Sequence, residues 1–237
     1  MLTMALPKGR VLPEALELLK RIGWPIPEDI TTSRRLIFDL TNGHRLILTK
    51  PVDVPVYVQY GVADVGMVGK DVLLEEAADV YELLDLGIGH CRLSIAAPAP
   101  ISPQKTEAVC APEKTASISE QAVLMEGVKA DSVKRSLTML RVATKYPRLS
   151  RQFFAERGEQ VEIVTLSGSI ELAPLLGLAE RIVDIVSTGQ TLRENGLVEL
   201  ETISEITTRL IASRTGYRFK QESIVSLVYA LESLKVV

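Results

Sequence analysis

Arg181-Ile-Val-Asp-Ile-Val-Ser-Thr-Gly-Gln-Thr-Leu192 runs from a strand, through an acidic residue at its carboxyl end, into a small hydroxyl-rich turn that opens a helix. Such a turn presents the backbone N–H groups of Thr188, Gly189, Gln190 and Thr191 at a helix N-terminus, with the hydroxyls of Ser187, Thr188 and Thr191 beside them. Unpaired N–H groups at the positive end of a helix dipole make a phosphate site. Asp184, just before the turn, is placed to accept hydrogen bonds from sugar hydroxyls. The same residues also suit an ordinary helix start, with Thr188 or Thr191 as the cap and Asp184 complementing the dipole. The stretch has neither the Gly-Lys-Ser/Thr of a Walker loop nor a Gly-x-Gly-x-x-Gly fingerprint.

Around this segment, short apolar runs alternate with helix-period stretches. Residues 2–6 read as a buried strand, and Leu12, Leu16, Leu19 and Ile22 follow at three- and four-residue steps, a helix stopped by Gly23. Residues 36–40 and 45–49 flank Thr41-Asn42-Gly43-His44, a hairpin with an Asn-Gly turn. The pattern predicts helices at 53–60 and from about Lys70, with strands at 64–68, 80–86 and 91–97. After a Pro-rich start, residues 99–135 read as a surface excursion, helical in part at 119–125. Strands at 140–144, 161–166, 181–186, 198–203 and 208–212 alternate with helices at 147–157, from Ser169, and at 222–234. This alternation predicts an α/β protein with largely parallel sheets, either one large sheet or two smaller ones.

The composition narrows the class. The chain has 237 residues, 46% hydrophobic and 24% charged, which is ample for a packed core and excludes a disordered or fibrous chain. With 27 basic against 30 acidic side chains, nothing points to nucleic acid or an anionic membrane as the main partner. Cys91 and Cys110 are the only cysteines and form no CxxC or Cys/His cluster, which argues against zinc and fits reduced thiols in the cytoplasm. No apolar run approaches the ~18 residues of a membrane span, and the apolar N-terminal run before Pro7 is too short for a signal peptide.

The apolar-apolar-Asp then Thr-Gly-x-Thr order resembles the phosphoribosyl-pyrophosphate loop of purine-salvage phosphoribosyltransferases, although Ile185 stands where those enzymes usually have a second acidic residue. A wider set of motifs resembles another family more closely. Ser167-Gly-Ser-Ile-Glu-Leu-Ala-Pro174 and Ile182 to Gly196 are the most specific. Ala5-Leu-Pro-Lys-Gly-Arg10, Gly61-Val-Ala-Asp-Val-Gly-Met-Val-Gly-Lys-Asp71 and Arg141-Val-Ala-Thr-Lys-Tyr-Pro147 extend the match along the chain. Together they resemble the ATP phosphoribosyltransferases, the first enzymes of histidine biosynthesis. The departure is the region from about 99 to 135, longer than the family's usual connection.

The resemblance implies two α/β lobes of the periplasmic-binding-protein type II kind with an interlobe active-site cleft. Lobe I is expected at residues 1–92 plus about 210–237, and lobe II at about 93–209. It implies attack by N1 of ATP on C1 of phosphoribosyl pyrophosphate, with Mg2+ carried mainly by the substrate phosphates and no metal held by the protein alone. By carry-over, Thr188, Gly189, Gln190 and Thr191, with Ser187, hold the 5-phosphate, while Glu171 and Asp184 take the ribose hydroxyls. Lys8 and Arg10 face pyrophosphate or triphosphate, and Arg34, Lys50 and Asp71 are candidates for the ATP or pyrophosphate side. Lys50 stands where relatives more often have arginine, and so lacks the bidentate fork. Adenine N1 is a neutral nucleophile, so the scarcity of histidine (His44 and His90 alone) is compatible with the chemistry.

The chain looks like the short form of the family. That form is expected to work as a homodimer within a hetero-oligomer, with a regulatory subunit resembling histidyl-tRNA synthetase that brings activation and histidine feedback. Two other classes compete: a non-catalytic ligand-binding module of the same fold, and a purine-salvage phosphoribosyltransferase.

Overall fold

The computed structural model describes residues 1–99 and 139–234, so the surface excursion lies outside the described residues from position 100 onward, as does its helical patch at 119–125. Among the described residues the chain forms two compact units. One gathers residues 1–95, 184–189 and 201–234, the other 96–99, 139–183 and 190–200.

The first sheet contains β1 (Thr3–Pro7), β2 (Ile37–Asp39), β3 (Arg45–Thr49), β4 (Val65–Gly69) and β5 (Tyr81–Asp85), together with the late strand β11 (Thr208–Ala212). Its order is β2-β3-β1-β4-β11-β5. Parallel pairing joins β3, β1 and β4 alone. β2 turns back on β3 through the Asn42-Gly43 hairpin, and β11 enters antiparallel between β4 and β5. The expectation of largely parallel sheets is thus corrected: a strand that arrives from the end of the chain can enter from either direction, and its apolar alternation does not encode which.

Alternation along the central strands explains the layers. Met4 and Leu6, Val65 and Met67, and Leu210 and Ala212 join one buried cluster with Leu12, Ala15, Leu16 and Leu19 of helix α1 (Leu12–Arg21). Ala5, Val68 and Ile211 face the other way, onto Val54 and Val58 of α2 (Val54–Gln59) and Val72 of α3 (Lys70–Glu76). Gly66 is required by the close approach of α2: a Cβ there would lie 2.8 Å from Val58 Cγ2 and 2.9 Å from Val54 Cγ1.

Helix α1 ends as its sequence predicts. Gly23 takes φ +82°, its N–H donates to the Lys20 carbonyl at 2.9 Å, and Trp24 N donates to the Leu19 carbonyl at 3.0 Å. This double bond closes the helix, and the apolar contact of Trp24 with the same cluster as Leu19 accompanies it. Truncating the fully buried Leu19 to alanine would cost about 2–5 kcal/mol.

The second sheet adds β6 (Cys91–Pro98), β7 (Leu140–Thr144), β8 (Val161–Thr165), β9 (Arg181–Val186) and β10 (Leu197–Ile206), ordered β10-β6-β9-β7-β8. β7 pairs in parallel with both β8 and β9. Helix α4 (Pro147–Glu156) follows β7, and the expected helix from Ser169 contracts to α5 (Leu172–Leu175), since Ser169 adopts φ +48° and Gly177 φ +70° ends it. α6 (Gln190–Glu194) follows β9. After β11 come α7 (Arg214–Phe219) and α8 (Gln221–Ser233). α7 has no helix-period signal and is set instead by its cap, Ser213 Oγ accepting from Gly216 N at 2.7 Å.

Candidate active site

Parallel pairing brings the carboxyl ends of β1, β3 and β4 to one edge of the first sheet, the edge at which open α/β sheets bind ligands. Lys8 follows Pro7, which pairs with Thr49, and Lys50 follows Thr49, so the two lysines leave the sheet side by side. Lys8 N donates to the Thr49 carbonyl at 2.7 Å. Gly9, at φ +105°, then turns the chain, and Leu12 N closes the loop on the Gly9 carbonyl at 3.2 Å. Lys8, Arg10 and Lys50 are exposed. Arg34 is exposed just before β2, whose antiparallel start lies at the same edge: Leu48 N donates to the Leu36 carbonyl at 2.8 Å. Arg35 stacks on Phe38, with its guanidinium carbon 4.8 Å from the ring centre.

Asp71 also leaves this edge, in the first turn of α3, but it is only 6% exposed and its carboxylate folds against Gly69, where a side chain would collide with it. Asp64 is structural: it accepts Thr3 N at 2.8 Å and pairs with Lys220 Nζ at 2.7 Å.

In the second sheet, the segments after β7, β8 and β9 likewise share a carboxyl edge. Glu171 is half-buried at the N-cap of α5, two residues after the left-handed Ser169. Strain of this kind in a residue with a Cβ costs of order 1–3 kcal/mol and concentrates at functional loops. Behind this edge Thr144 Oγ1 donates to the Val183 carbonyl at 2.7 Å and accepts Tyr146 N at 2.8 Å, a buried knot completed by Ser150 Oγ on the Tyr146 carbonyl at 2.7 Å.

The turn after β9 exposes Ser187, Thr188, Gln190 and Thr191, with Gly189 at φ +72° as its pivot. Helix α6 starts at Gln190 and is held by Asn195, whose Nδ2 donates to the Thr191 carbonyl at 2.9 Å. Asp184 sits inside β9, two residues short of its end, half-buried, with Oδ1 accepting Ile185 N at 2.8 Å. The strand ends at Val186, as its apolar run predicts, which leaves Asp184 two residues before the turn.

Residues 50–233 match the family described as HisG: ATP phosphoribosyltransferase. The chain belongs to the ATP phosphoribosyltransferase family. It is 47% identical to the ATP phosphoribosyltransferase of Geobacillus sp. (strain WCH70), over 99% of this chain and 98% of that one. To the protein of the same name from Bacillus licheniformis it is 51% identical, over 94% and 90%. Among solved structures, a chain of the ATP phosphoribosyl transferase (HisG:HisZ) complex from Thermotoga maritima superposes with a TM-score of 0.72 at 29% identity, covering 98% of each chain. The periplasmic VFT2 domain of Bordetella pertussis BvgS, at 16% identity and a TM-score of 0.54 over 98% of this chain and 87% of that one, shares the fold. The chain is therefore a transferase on a two-lobed α/β fold common to periplasmic binding proteins.

Two residues at the start of β6, Cys91 and Arg92, stand near the loops with no local sequence signal to mark them. Cys91 is 5% exposed; burial pushes its thiol up, with the charge of Arg10 acting in the opposite sense. Arg92 Nη1 donates to the Ser187 carbonyl at 3.3 Å. Neither lies in a motif with a spacing of its own, and only the fold brings them to the loops. His90 Nε2 lies 2.9 Å from the Gly87 carbonyl, and Trp24 packs flat on His44 with centroids 4.3 Å apart, structural roles for both. No helix among the described residues is long and apolar enough to cross a membrane.

Proposed function

We propose that the chain transfers the 5-phosphoribosyl group of phosphoribosyl pyrophosphate to N1 of ATP, giving 1-(5-phosphoribosyl)-ATP and diphosphate, the first step of histidine biosynthesis. The near full-length likeness to relatives of that name carries this reading. The turn at 187–191 takes the 5-phosphate with backbone N–H groups and hydroxyls. Glu171 and Asp184 orient the ribose hydroxyls, and Lys8 and Arg10 offset the charge that collects on the leaving diphosphate. Arg34 and Lys50, both exposed, meet the triphosphate. Asp71, buried, adds negative charge near Cys91 more than it offers a contact surface. Because adenine N1 attacks as a neutral nucleophile, orientation and exclusion of water matter more than a strong base.

Among the described residues no three His, Cys, Asp or Glu side chains gather into a metal cage. Glu171 and Asp184 are hard oxygen donors that suit a Mg2+ ion already held by phosphates. Bound there, Mg2+ supplies further neutralisation of the diphosphate. In this reading the enzyme is cytoplasmic and forms a homodimer within a hetero-oligomer, joined by a regulatory subunit resembling histidyl-tRNA synthetase. A structural relative was solved as a HisG:HisZ complex, which supports that arrangement.

The test mixes purified chain, with and without that second subunit, with phosphoribosyl pyrophosphate and either ATP or free purine bases. Phosphoribosyl-ATP and diphosphate should form with ATP. Diphosphate released only with a free base, or ligand binding without turnover even beside the partner, would overturn the reading.

A further inference from the structure

Lys145 is the first residue past the carboxyl end of β7, the strand that lies between β9 and β8. Thr144 before it pairs with Val183 on one side and Thr165 on the other, and its carbonyl accepts Leu166 N at 3.0 Å. The backbone flanking Lys145 is pinned in the interior. Thr144 and Ser150 are fully buried and Tyr146 is 5% exposed, and hydrogen bonds of 2.7–2.8 Å clamp positions 144 and 146 to β9 and to the first turn of α4. Between these two buried neighbours Lys145 is exposed. Its ammonium stands 5.8 Å from the centre of the Tyr146 ring, and no carboxylate among the described residues pairs with it. At the opposite end of the same strand Arg141 is paired with Glu180 at 2.9 Å. The first turn of α4 holds no acidic residue, so no side chain there offsets the positive end of the helix dipole.

We propose that Lys145 binds the 5-phosphoribosyl half of phosphoribosyl pyrophosphate, its ammonium taking an oxygen of the 5-phosphate. The inference rests on reading the turn at 187–191 as the 5-phosphate site. The other segments that leave this edge are rich in donors and empty of cations: residues 166–171 and 187–191 contain no lysine or arginine. A phosphate dianion held by N–H groups and hydroxyls alone keeps its charge uncompensated where water is excluded, and a cation on the intervening strand supplies the countercharge. Lys8 and Arg10, in the first unit, are read as meeting the diphosphate, so the charge of Lys145 falls to the other half of the ligand. Lys145, Glu171 and Thr191 all belong to the second unit. Because the backbone at 144 and 146 is fixed by buried bonds, only the lysine's own side chain has to be ordered when the phosphate arrives.

Calorimetric titration of the full chain with phosphoribosyl pyrophosphate and with magnesium pyrophosphate tests this, alongside thermal unfolding of each variant. Lys145→Met keeps the aliphatic stem and removes the charge. It should weaken phosphoribosyl pyrophosphate about tenfold and leave magnesium pyrophosphate within about twofold. Lys145→Arg, which returns a cation at similar reach, should recover most of the loss. An exposed side chain without an ion pair contributes little to the fold, so both variants should melt within about 2 °C of the unaltered chain. Unchanged affinity for phosphoribosyl pyrophosphate in Lys145→Met, equal losses for the two ligands, or a Lys145→Arg chain as weak as Lys145→Met would overturn the inference and leave the reading of the turn standing. An unaltered chain that does not bind phosphoribosyl pyrophosphate would sink the reading of the turn and the inference with it.

Discussion

Thr144 Oγ1 donates to the carbonyl of Val183 at 2.7 Å, fixing β9 one residue before Asp184 from a position in the neighbouring strand β7. Both residues are fully buried, so neither group has water to fall back on. Thr144→Val keeps the shape and removes the hydroxyl, leaving the Val183 carbonyl and Tyr146 N without it. Urea unfolding should show a loss of about 1–3 kcal/mol. Unchanged stability would mean that the knot is dispensable.

Thr191 offers an exposed hydroxyl while its carbonyl anchors Asn195, so the side chain can be removed without undoing the helix start. Thr191→Ala should raise the apparent constant for phosphoribosyl pyrophosphate about tenfold, the loss of one charge-assisted hydrogen bond. Steady-state kinetics with that substrate varied is the check, and an unaltered constant removes this hydroxyl from the site.

Asp184 and Glu171 are expected to orient the sugar without transferring a proton, because diphosphate leaves as a stable anion. Asp184→Asn should lower turnover and leave the pH profile in place. A displaced acidic limb in the variant's profile would assign the carboxylate a proton-transfer role instead.

Asp64 binds Thr3 N and Lys220 together, joining β1 to the residue that precedes α8. Asp64→Asn keeps an acceptor for Thr3 and should cost about 1 kcal/mol or less, since the lysine side chain is 40% exposed and water screens the pair. Asp64→Ala also strands the Thr3 N–H and should cost about 1–3 kcal/mol. Equal losses in the two variants would show that the backbone bond contributes nothing.

His44 titrates below its ordinary value of 6.5, because burial disfavours the charged ring and the N-terminal amine repels it. Its Nδ1 accepts Leu2 N at 3.0 Å, a bond that needs the neutral ring. The unfolded chain therefore binds a proton more readily than the folded one. The resulting stability is present above about pH 6.5 and is lost as pH falls through the lower folded value. Melting temperatures at pH 7.5 and 5.5 should diverge less in His44→Asn than in the unaltered chain, and an identical divergence would rule His44 out.

Local signals were the readable ones. The Asn42-Gly43 hairpin, the Gly23 stop and the four-residue steps of α1 each depend on a few neighbouring residues, and each appears where the spacing puts it. The hydroxyl turn after β9 was legible for the same reason: a pivot glycine and a helix start at Gln190 follow directly on the strand. What escaped depends on distance along the chain. The antiparallel entry of β11 is settled by β4 and β5, far away in sequence, and α7 has a cap but no apolar period. Arg92 reaches Ser187 across 95 positions, a relation that no local motif can carry.

The place of β11 between β4 and β5 has a consequence for how the chain is made. A ribosome releases β1 to β5 long before the strand that joins β4 to β5, so the central sheet waits with two unpaired edges through most of synthesis. Exposed edges of this kind recruit other strands. Stalled or prematurely ended translation before residue 208 would thus yield sticky fragments rather than smaller folded proteins, and the nascent chain would lean on chaperones until the strand at Thr208–Ala212 emerges.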